Sequence, residues 1–151
     1  MLELATAKDR TAVNNLARQV HELHVSWRPD IFTMPEELYS EERFAAVIRD
    51  RQLYVAKLNG IVAGYVLLKF RNYDWPGVVN RRVMIIEEIC VDQPFRGHGI
   101  GSRMMEEVHA LARAFGCTDM QLGLYPQNDD AVGFYQKCGF TIRSIEMQRK
   151  V

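Results

Sequence analysis

The run Arg96-Gly97-His98-Gly99-Ile100-Gly101 has the residue types of an anion-binding turn. It follows the apolar stretch 83–91 and precedes residues 102–115, whose pattern is helical. A strand, a glycine turn and a helix in that order direct unpaired helix N–H groups at a ligand, and the helix dipole favours negative charge there. The glycines permit positive φ and close approach of the backbone. The chemistry expected is binding of a phosphate or pyrophosphate. Two common versions do not fit. No lysine follows Gly101, so the G-x-x-x-x-G-K-[ST] loop of nucleotide triphosphatases is absent. Counting from Gly97 or Gly99, the third glycine of G-x-G-x-x-G is replaced by Ser102 or Met104, which disfavours a simple dinucleotide-dependent dehydrogenase. The pattern that remains is Arg-x-x-Gly-x-Gly on Arg96, Gly99 and Gly101.

A second set of reactive groups lies just upstream. Glu87 and Glu88 stand in an otherwise apolar strand, where carboxylates are uncommon. Regular alternation sends them to opposite faces, with Glu88 on the face of Ile86 and Cys90. Each is a carboxylate that packing alone does not call for, or else a cross-strand partner for Arg81 or Arg82. His21 and His24, with Glu22 between them, are spaced three apart on a helical pattern. No further ligand cluster accompanies them, so no metal site is expected. His98 and His109 carry no special signal.

These groups must be positioned by an alternating α/β order. Strands are expected over 2–5, 53–58, 61–70, 83–91, 120–125 and 140–145, with a short tail finishing the sheet. Helices are expected over 8–25, 36–51, 102–115 and 128–138. Asn59-Gly60 marks a hairpin whose two turn positions need positive φ. The segment 27–35, with two prolines, and the segment 72–80, with Trp75-Pro76-Gly77, read as loops. Arg71, Arg81, Arg82 and Trp75 fall near strand ends and read as solvated surface.

Composition sets the outer limits. A chain of 151 residues, 48% hydrophobic and 25% charged, reads as one domain spanning 1–151. Formal net charge is zero, so neither nucleic acid nor an anionic membrane is an expected partner. No apolar run reaches the roughly 20 residues of a membrane span. The opening residues lack the pattern of a secretory signal. Cys90, Cys117 and Cys138 are odd in number and form no C-x-x-C pair. They read as small buried hydrophobes in a reducing compartment, and the expected location is the cytoplasm.

The glycine turn resembles the coenzyme A loop of the GNAT superfamily, the acyl-CoA-dependent N-acyltransferases. The resemblance extends from Val91 through Gly101 and continues downstream. Asn128, Ala131, Phe134, Tyr135, Lys137, Gly139 and Phe140 are similar to that family's N-x-x-A-x-x-F-Y-x-K-x-G-F signature. The match covers residues 83–141 well and the rest in outline. It implies a central mixed, mostly antiparallel sheet of six to seven strands, splayed between its fourth and fifth strands and flanked by four helices.

It also implies acetyl-CoA as cosubstrate and a small-molecule or protein amine as acceptor. The pantetheine arm would pair with the backbone of Ile89 and Val91 in the splay, as an added strand does. The amides of Arg96, Gly97, His98, Gly99, Ile100 and Gly101, with Ser102, would hold the pyrophosphate. Asn128 is either a pantetheine contact or a helix cap, and both roles are compatible. Phe134 either flanks the coenzyme or packs in the core. Tyr135 corresponds to a general acid for the leaving thiolate, the alternative being a packed helix residue. For the base, Glu88 is preferred over Glu87. The loop after the first helix borders the acceptor site in such proteins, which brings His24, Trp27, Arg28, Asp30 and Phe32 into play. Trp27 and Phe32 also read as residues that pin this loop to the core. A homodimer is common among members, but no contact surface is legible here. The competing reading is a non-catalytic acyl-CoA sensor on the same fold. A phosphate-binding domain unrelated to coenzyme A does not explain the downstream signature.

Overall fold

The computed structural model describes residues 1–151. Its core is one open sheet of five strands in spatial order β1 (Leu2–Leu4), β2 (Leu53–Leu58), β3 (Ile61–Tyr73), β4 (Arg81–Val91) and β5 (Asp119–Leu122). The first four pair antiparallel in sequence, and β5 runs parallel to β4. The β2–β3 turn is the expected one, with Asn59 at φ 49° and Gly60 at φ 79°. Helices α1 (Arg10–Trp27) and α2 (Glu41–Arg49) cover one face, and α3 (Ile100–Ala114) and α4 (Asp129–Lys137) the other. No helix is long and apolar enough to cross a membrane.

Strand alternation sorts the core into two clusters. Leu53, Val55, Tyr65, Leu67 and Cys90 meet Val13, Leu16, Phe44 and Val47 from α1 and α2. Tyr54, Ala56, Val66, Leu68, Met84 and Ile86 meet Ile100, Met104, Met105, Val108 and Ala112 from α3. In β4 the alternation breaks. Leu68 opposes Ile86 and Leu67 opposes Glu88, so Glu87 is an extra, bulged residue. Past it the parity inverts. Ile86 faces α3, whereas Glu88 and Cys90 face α1 and α2. The expected grouping of Glu88 with Ile86 therefore does not hold, because it assumed a regular strand.

Other departures have local causes. The second helix begins at Glu41, well after residue 36. Asn14 takes both backbone groups of Tyr39, at 2.8 and 3.0 Å, which holds that residue outside the helix. Ser40 then caps the first turn by accepting from the Arg43 amide at 3.1 Å. Strand β3 continues to Tyr73 because Arg71–Tyr73 pair with the start of β4 across the expected loop. The sheet has five strands, fewer than the six to seven expected. Strand β5 ends at Leu122, and residues 140–145 form no strand. Cys90 is buried, while Cys117 and Cys138 are only half-buried.

One glycine clamps β3, β4 and α3 together. A Cβ on Gly64 would sit 2.6 Å from the Cys90 carbonyl oxygen and 2.9 Å from Met104 Sδ. The first of these is backbone and cannot step aside. Gly64→Ala is expected to cost about 1–3 kcal/mol and lower Tm by roughly 5 °C. Thermal melting checks this, and an unchanged Tm would mean the strands separate there without cost.

Candidate active site

The β4–β5 ladder is short. It runs from Val83 opposite Asp119 to Ile86 opposite Leu122 and then stops. Beyond it, β4 continues to Val91 with nothing paired on that side, so the sheet opens into a gap. The Asp92 amide donates to the Ala63 carbonyl at 2.8 Å, which fixes the hydrogen-bonding phase of this part of β4. Cys90 and Asp92 therefore turn their backbone groups toward β3, and Ile89 and Val91 turn theirs into the gap.

Arg96 reaches into the same place. Its Nε donates to the Val91 carbonyl at 2.8 Å and its Nη2 to Gln19 Oε1 at 2.9 Å. Gln19 Nε2 in turn donates to Asp92 Oδ1 at 2.8 Å. The arginine side chain is thus a latch between the loop, the end of β4 and α1. It leaves the Val91 N–H free toward the gap. Gln19 had no motif to mark it in the sequence.

The glycine turn lies at the mouth of the gap. Gly97 and Gly99 adopt φ of 78° and 77°, and Gly99 is the N-cap of α3. No side chain caps this helix, so its first amides are open to a ligand. Ile100 is buried in the core and anchors the turn, while His98 and Ser102 are exposed. A Cβ on Gly101 would lie 3.4 Å from the Phe134 ring and 3.7 Å from Val91 Cγ2. The start of α3, the end of β4 and the middle of α4 therefore converge here. Backbone donors of an uncapped helix start, beside Phe134 and Val91, are groups that could hold a pantetheine pyrophosphate.

Asn128 caps α4, its Oδ1 accepting from the Ala131 amide at 3.3 Å. That leaves its amide nitrogen without a protein partner. Tyr135 packs beside Phe134 and Phe140, with ring centroids 5.2 and 5.7 Å away. Its hydroxyl makes no hydrogen bond within the protein. Burial, with a smaller contribution from Cys138, pushes its pKa up to about 12.

Glu88 is held by groups that sequence reasoning missed. Its Oε2 accepts from the hydroxyls of Tyr39 at 2.7 Å and Tyr65 at 2.8 Å. Arg43 stands 3.6 Å from its Oε1 and stacks over the Tyr39 ring at 4.2 Å. Tyr39 and Tyr65 are 0% and 1% exposed. Burial first, and the Glu88 charge next, raise both phenol pKa values, so each hydroxyl stays a donor. The carboxylate itself remains partly open. Glu87 instead pairs with Lys69 at 3.5 Å, and its charge also reaches Tyr39. The bulge thus brings both carboxylates to the Tyr39 side, although alternation had separated them. Neither partners Arg81 or Arg82. Arg81 pairs with Asp119, and Arg82 lies over the Phe70 ring at 4.6 Å. Tyr65 was in principle findable, since it lies diagonal to Glu88 across the β3–β4 pair. Tyr39 gave no sequence signal.

The end of α1, the loop after it and the exit of β5 meet on the Glu88 side. His24 packs against Phe32, Trp27 and Tyr125 at centroid distances of 5.3, 5.9 and 6.0 Å. Tyr125 was not singled out in the sequence. Burial and then neighbouring His21 lower the His24 pKa, while Glu88 is near enough to oppose that shift. His21 Nε2 lies 2.7 Å from the Thr33 carbonyl and anchors the loop. Arg28 is engaged by polar partners. It forks onto Asp30 at 2.9 and 2.8 Å and reaches Gln148 at 2.7 Å. It borders an open cavity of about 570 Å3, lined also by Tyr125, Gln127, Glu146 and Lys150. The structure has no cluster of three or more potential metal-ligating side chains. Cys90 Sγ lies 3.5 Å from the Leu16 carbonyl, and burial lifts its pKa to about 11, so it is not a ready nucleophile.

Comparison with known proteins agrees with this geometry. A mutant of the BH1408 protein of Bacillus halodurans superposes with a TM-score of 0.94 at 28% identity, over 100% of this chain and 99% of that one. An aminoglycoside N-acetyltransferase, AAC(6')-Iy in complex with CoA, shares the fold with a TM-score of 0.70 at 17% identity, over 100% of both chains. In sequence, the chain is 35% identical to glucosamine 6-phosphate N-acetyltransferase 1 of Oryza sativa over 66 residues, 44% of this chain and 38% of that protein. It is 33% identical to thialysine N-epsilon-acetyltransferase of Bos taurus over 78 residues, 52% of this chain and 44% of that protein. These matches span less than half the length of either curated relative. Residues 17–140 match the Acetyltransferase (GNAT) family as a whole, and the chain belongs to that family.

Proposed function

We propose that this protein transfers an acetyl group from acetyl-CoA to a primary amine by direct attack within a ternary complex. The observation that carries this reading is the gap beside Ile89 and Val91. It is continuous with the uncapped glycine turn and has Tyr135 on one side of the sheet and a tethered Glu88 on the other. The amine nitrogen bonds to the thioester carbonyl carbon, and the carbon–sulfur bond breaks. Glu88, directly or through one water, takes the proton that the amine loses. The Val91 N–H polarises the carbonyl and stabilises the oxyanion. The Tyr135 hydroxyl protonates the departing thiolate and is then restored from solvent. His24, Trp27, Phe32 and Tyr125 border the acceptor. The similar proteins named for glucosamine 6-phosphate and thialysine make primary amines the first panel to test. Direct transfer is preferred over an acyl-enzyme because Cys90 is buried and no histidine contacts its sulfur.

Calorimetric titration with acetyl-CoA, with ATP and NAD as controls, tests the cosubstrate. Selective acetyl-CoA binding followed by turnover of a panel amine supports the whole reading. Tight binding without turnover of any amine would identify a sensor instead. Tyr135→Phe is expected to leave acetyl-CoA affinity within about twofold and to lower kcat by about 100-fold. Unchanged kcat removes Tyr135 from the mechanism. Because its pKa lies at about 12, loss of the tyrosine proton should cause no fall in kcat between about pH 8 and 10. A fall there that disappears in Tyr135→Phe would contradict that assignment.

A further inference from the structure

Tyr125 belongs to two surroundings at once. Its ring packs among His24, Trp27 and Phe32 at centroid distances of 6.0, 6.4 and 6.1 Å. It also lines the open polar cavity beside Arg28, Gln127, Glu146, Gln148 and Lys150. The ring cluster lies on the Glu88 side, near enough for that carboxylate to act on His24. The surface therefore runs from Glu88, across half-buried rings, to a cavity of about 570 Å3. That volume is in the range of small-molecule sites.

The cavity carries charges of both signs. Arg28 commits its Nε and Nη2 to Asp30 and Gln148, which leaves Nη1 open. Lys150 stands 3.7 Å from Asp30, a carboxylate that Arg28 already satisfies at 2.9 and 2.8 Å. Glu146 has neither an ion-pair nor a hydrogen-bond partner within the protein. Extended alternation brings Glu146, Gln148 and Lys150 to the same side of the chain, beside Arg28. A ligand end with one charge would satisfy one of these groups and repel another. An end that carries an ammonium and a carboxylate together satisfies both signs.

We propose that the acceptor is a free α-amino acid whose reactive amine stands at the end of a hydrocarbon arm, as in lysine. This rests on the acetyl-transfer reading above and names its substrate. The arm lies across His24, Trp27, Phe32 and Tyr125. The α-carboxylate meets Arg28 Nη1 and Lys150, and the α-ammonium meets Glu146. The terminal nitrogen bonds to the acetyl carbon as the carbon–sulfur bond breaks. Its proton passes to Glu88, and the thiolate takes one from Tyr135. Contacts at the charged end thus position an amine they do not touch. A lysine within a protein has neutral amides in place of both α charges, so the cavity gives it no such hold.

Steady-state kcat/KM at saturating acetyl-CoA tests this with lysine, cadaverine, ε-aminocaproate and pentylamine. These share one arm and differ only at the far end. Cadaverine lacks the carboxylate, ε-aminocaproate the α-ammonium, and pentylamine both. Lysine should exceed pentylamine by about tenfold or more, with the other two between. Glu146→Gln should abolish the advantage of lysine over ε-aminocaproate, and Lys150→Gln should shrink its advantage over cadaverine. Both positions are exposed, so the variants should fold. Equal kcat/KM for lysine and pentylamine would overturn the proposal and leave acetyl transfer standing. So would a preference for lysine blocked as amides at both α groups. Calorimetry with lysine on the protein saturated with coenzyme A separates the two readings. Binding without turnover, weakened about fivefold by Glu146→Gln, upholds the site and removes the transferase. Neither binding nor turnover of lysine overturns the site.

Discussion

Gly99→Val is expected to raise the dissociation constant for acetyl-CoA by about 100-fold or more, with the fold intact. Gly99 sits at φ 77° as the N-cap of α3. A β-branched residue there costs about 1–3 kcal/mol in backbone strain. A Cβ at this position meets no protein atom within 4 Å, so no core contact is disturbed. The protein can relieve the strain by turning the residue to negative φ, but that swings the turn amides away from the anion. Either way the ligand loses aligned donors, and the valine side chain enters space the pyrophosphate would use. Calorimetry measures the loss, and a melting curve shows whether the domain stays folded. Gly101→Ala is the milder companion. Its Cβ would touch Phe134 and Val91 at ordinary to tight distances, so a weaker effect on affinity is expected. Wild-type affinity in Gly99→Val would remove the turn from the binding site.

Glu88→Gln is expected to lower kcat by about 100-fold or more while acetyl-CoA affinity stays within about twofold. The amide keeps the shape of the side chain and still accepts from Tyr39 and Tyr65, so the network survives without its base. Replacing a charged acceptor by a neutral one should cost at most about 1 kcal/mol of stability at this partly open site. Tyr39→Phe and Tyr65→Phe each remove one donor and free the carboxylate to rotate. Each should lower kcat by roughly tenfold, because the carboxylate is no longer held in one orientation. Glu87→Gln is the control, because Glu87 is engaged by Lys69. Equal losses at both glutamates would point to general charge at the bulge and against a dedicated base.

The fold class and the ligand turn were legible in local sequence because their causes are local. Helix-period apolar residues, the Asn59-Gly60 turn and the Gly97 and Gly99 positions each act within a few residues. The same holds for Asn128, whose cap role needs only the amide three residues on. The sixth strand was misread for the complementary reason. Residues 140–145 have strand-like composition, but a strand exists only where an edge is available, and the chain's own β5 edge does not receive them.

The placement of the two strand carboxylates could not come from pattern. Alternation separated Glu87 from Glu88 and grouped Glu88 with Ile86, and a single bulged residue overturned both expectations. A bulge is a property of two paired strands and their twist, so it is invisible in one strand's sequence. Tyr39, Arg43, Gln19 and Tyr125 likewise entered the site only through contacts between segments distant in the chain. The sequence by itself determined the family, the αβ order and the glycine turn that opens α3, because backbone preference and hydrophobic period are short-range. Only the tertiary structure decided which carboxylate is held by two phenols, how Arg96 latches the gap, and where the tail lies. Those depend on which distant groups share one buried space, and local sequence carries no record of that.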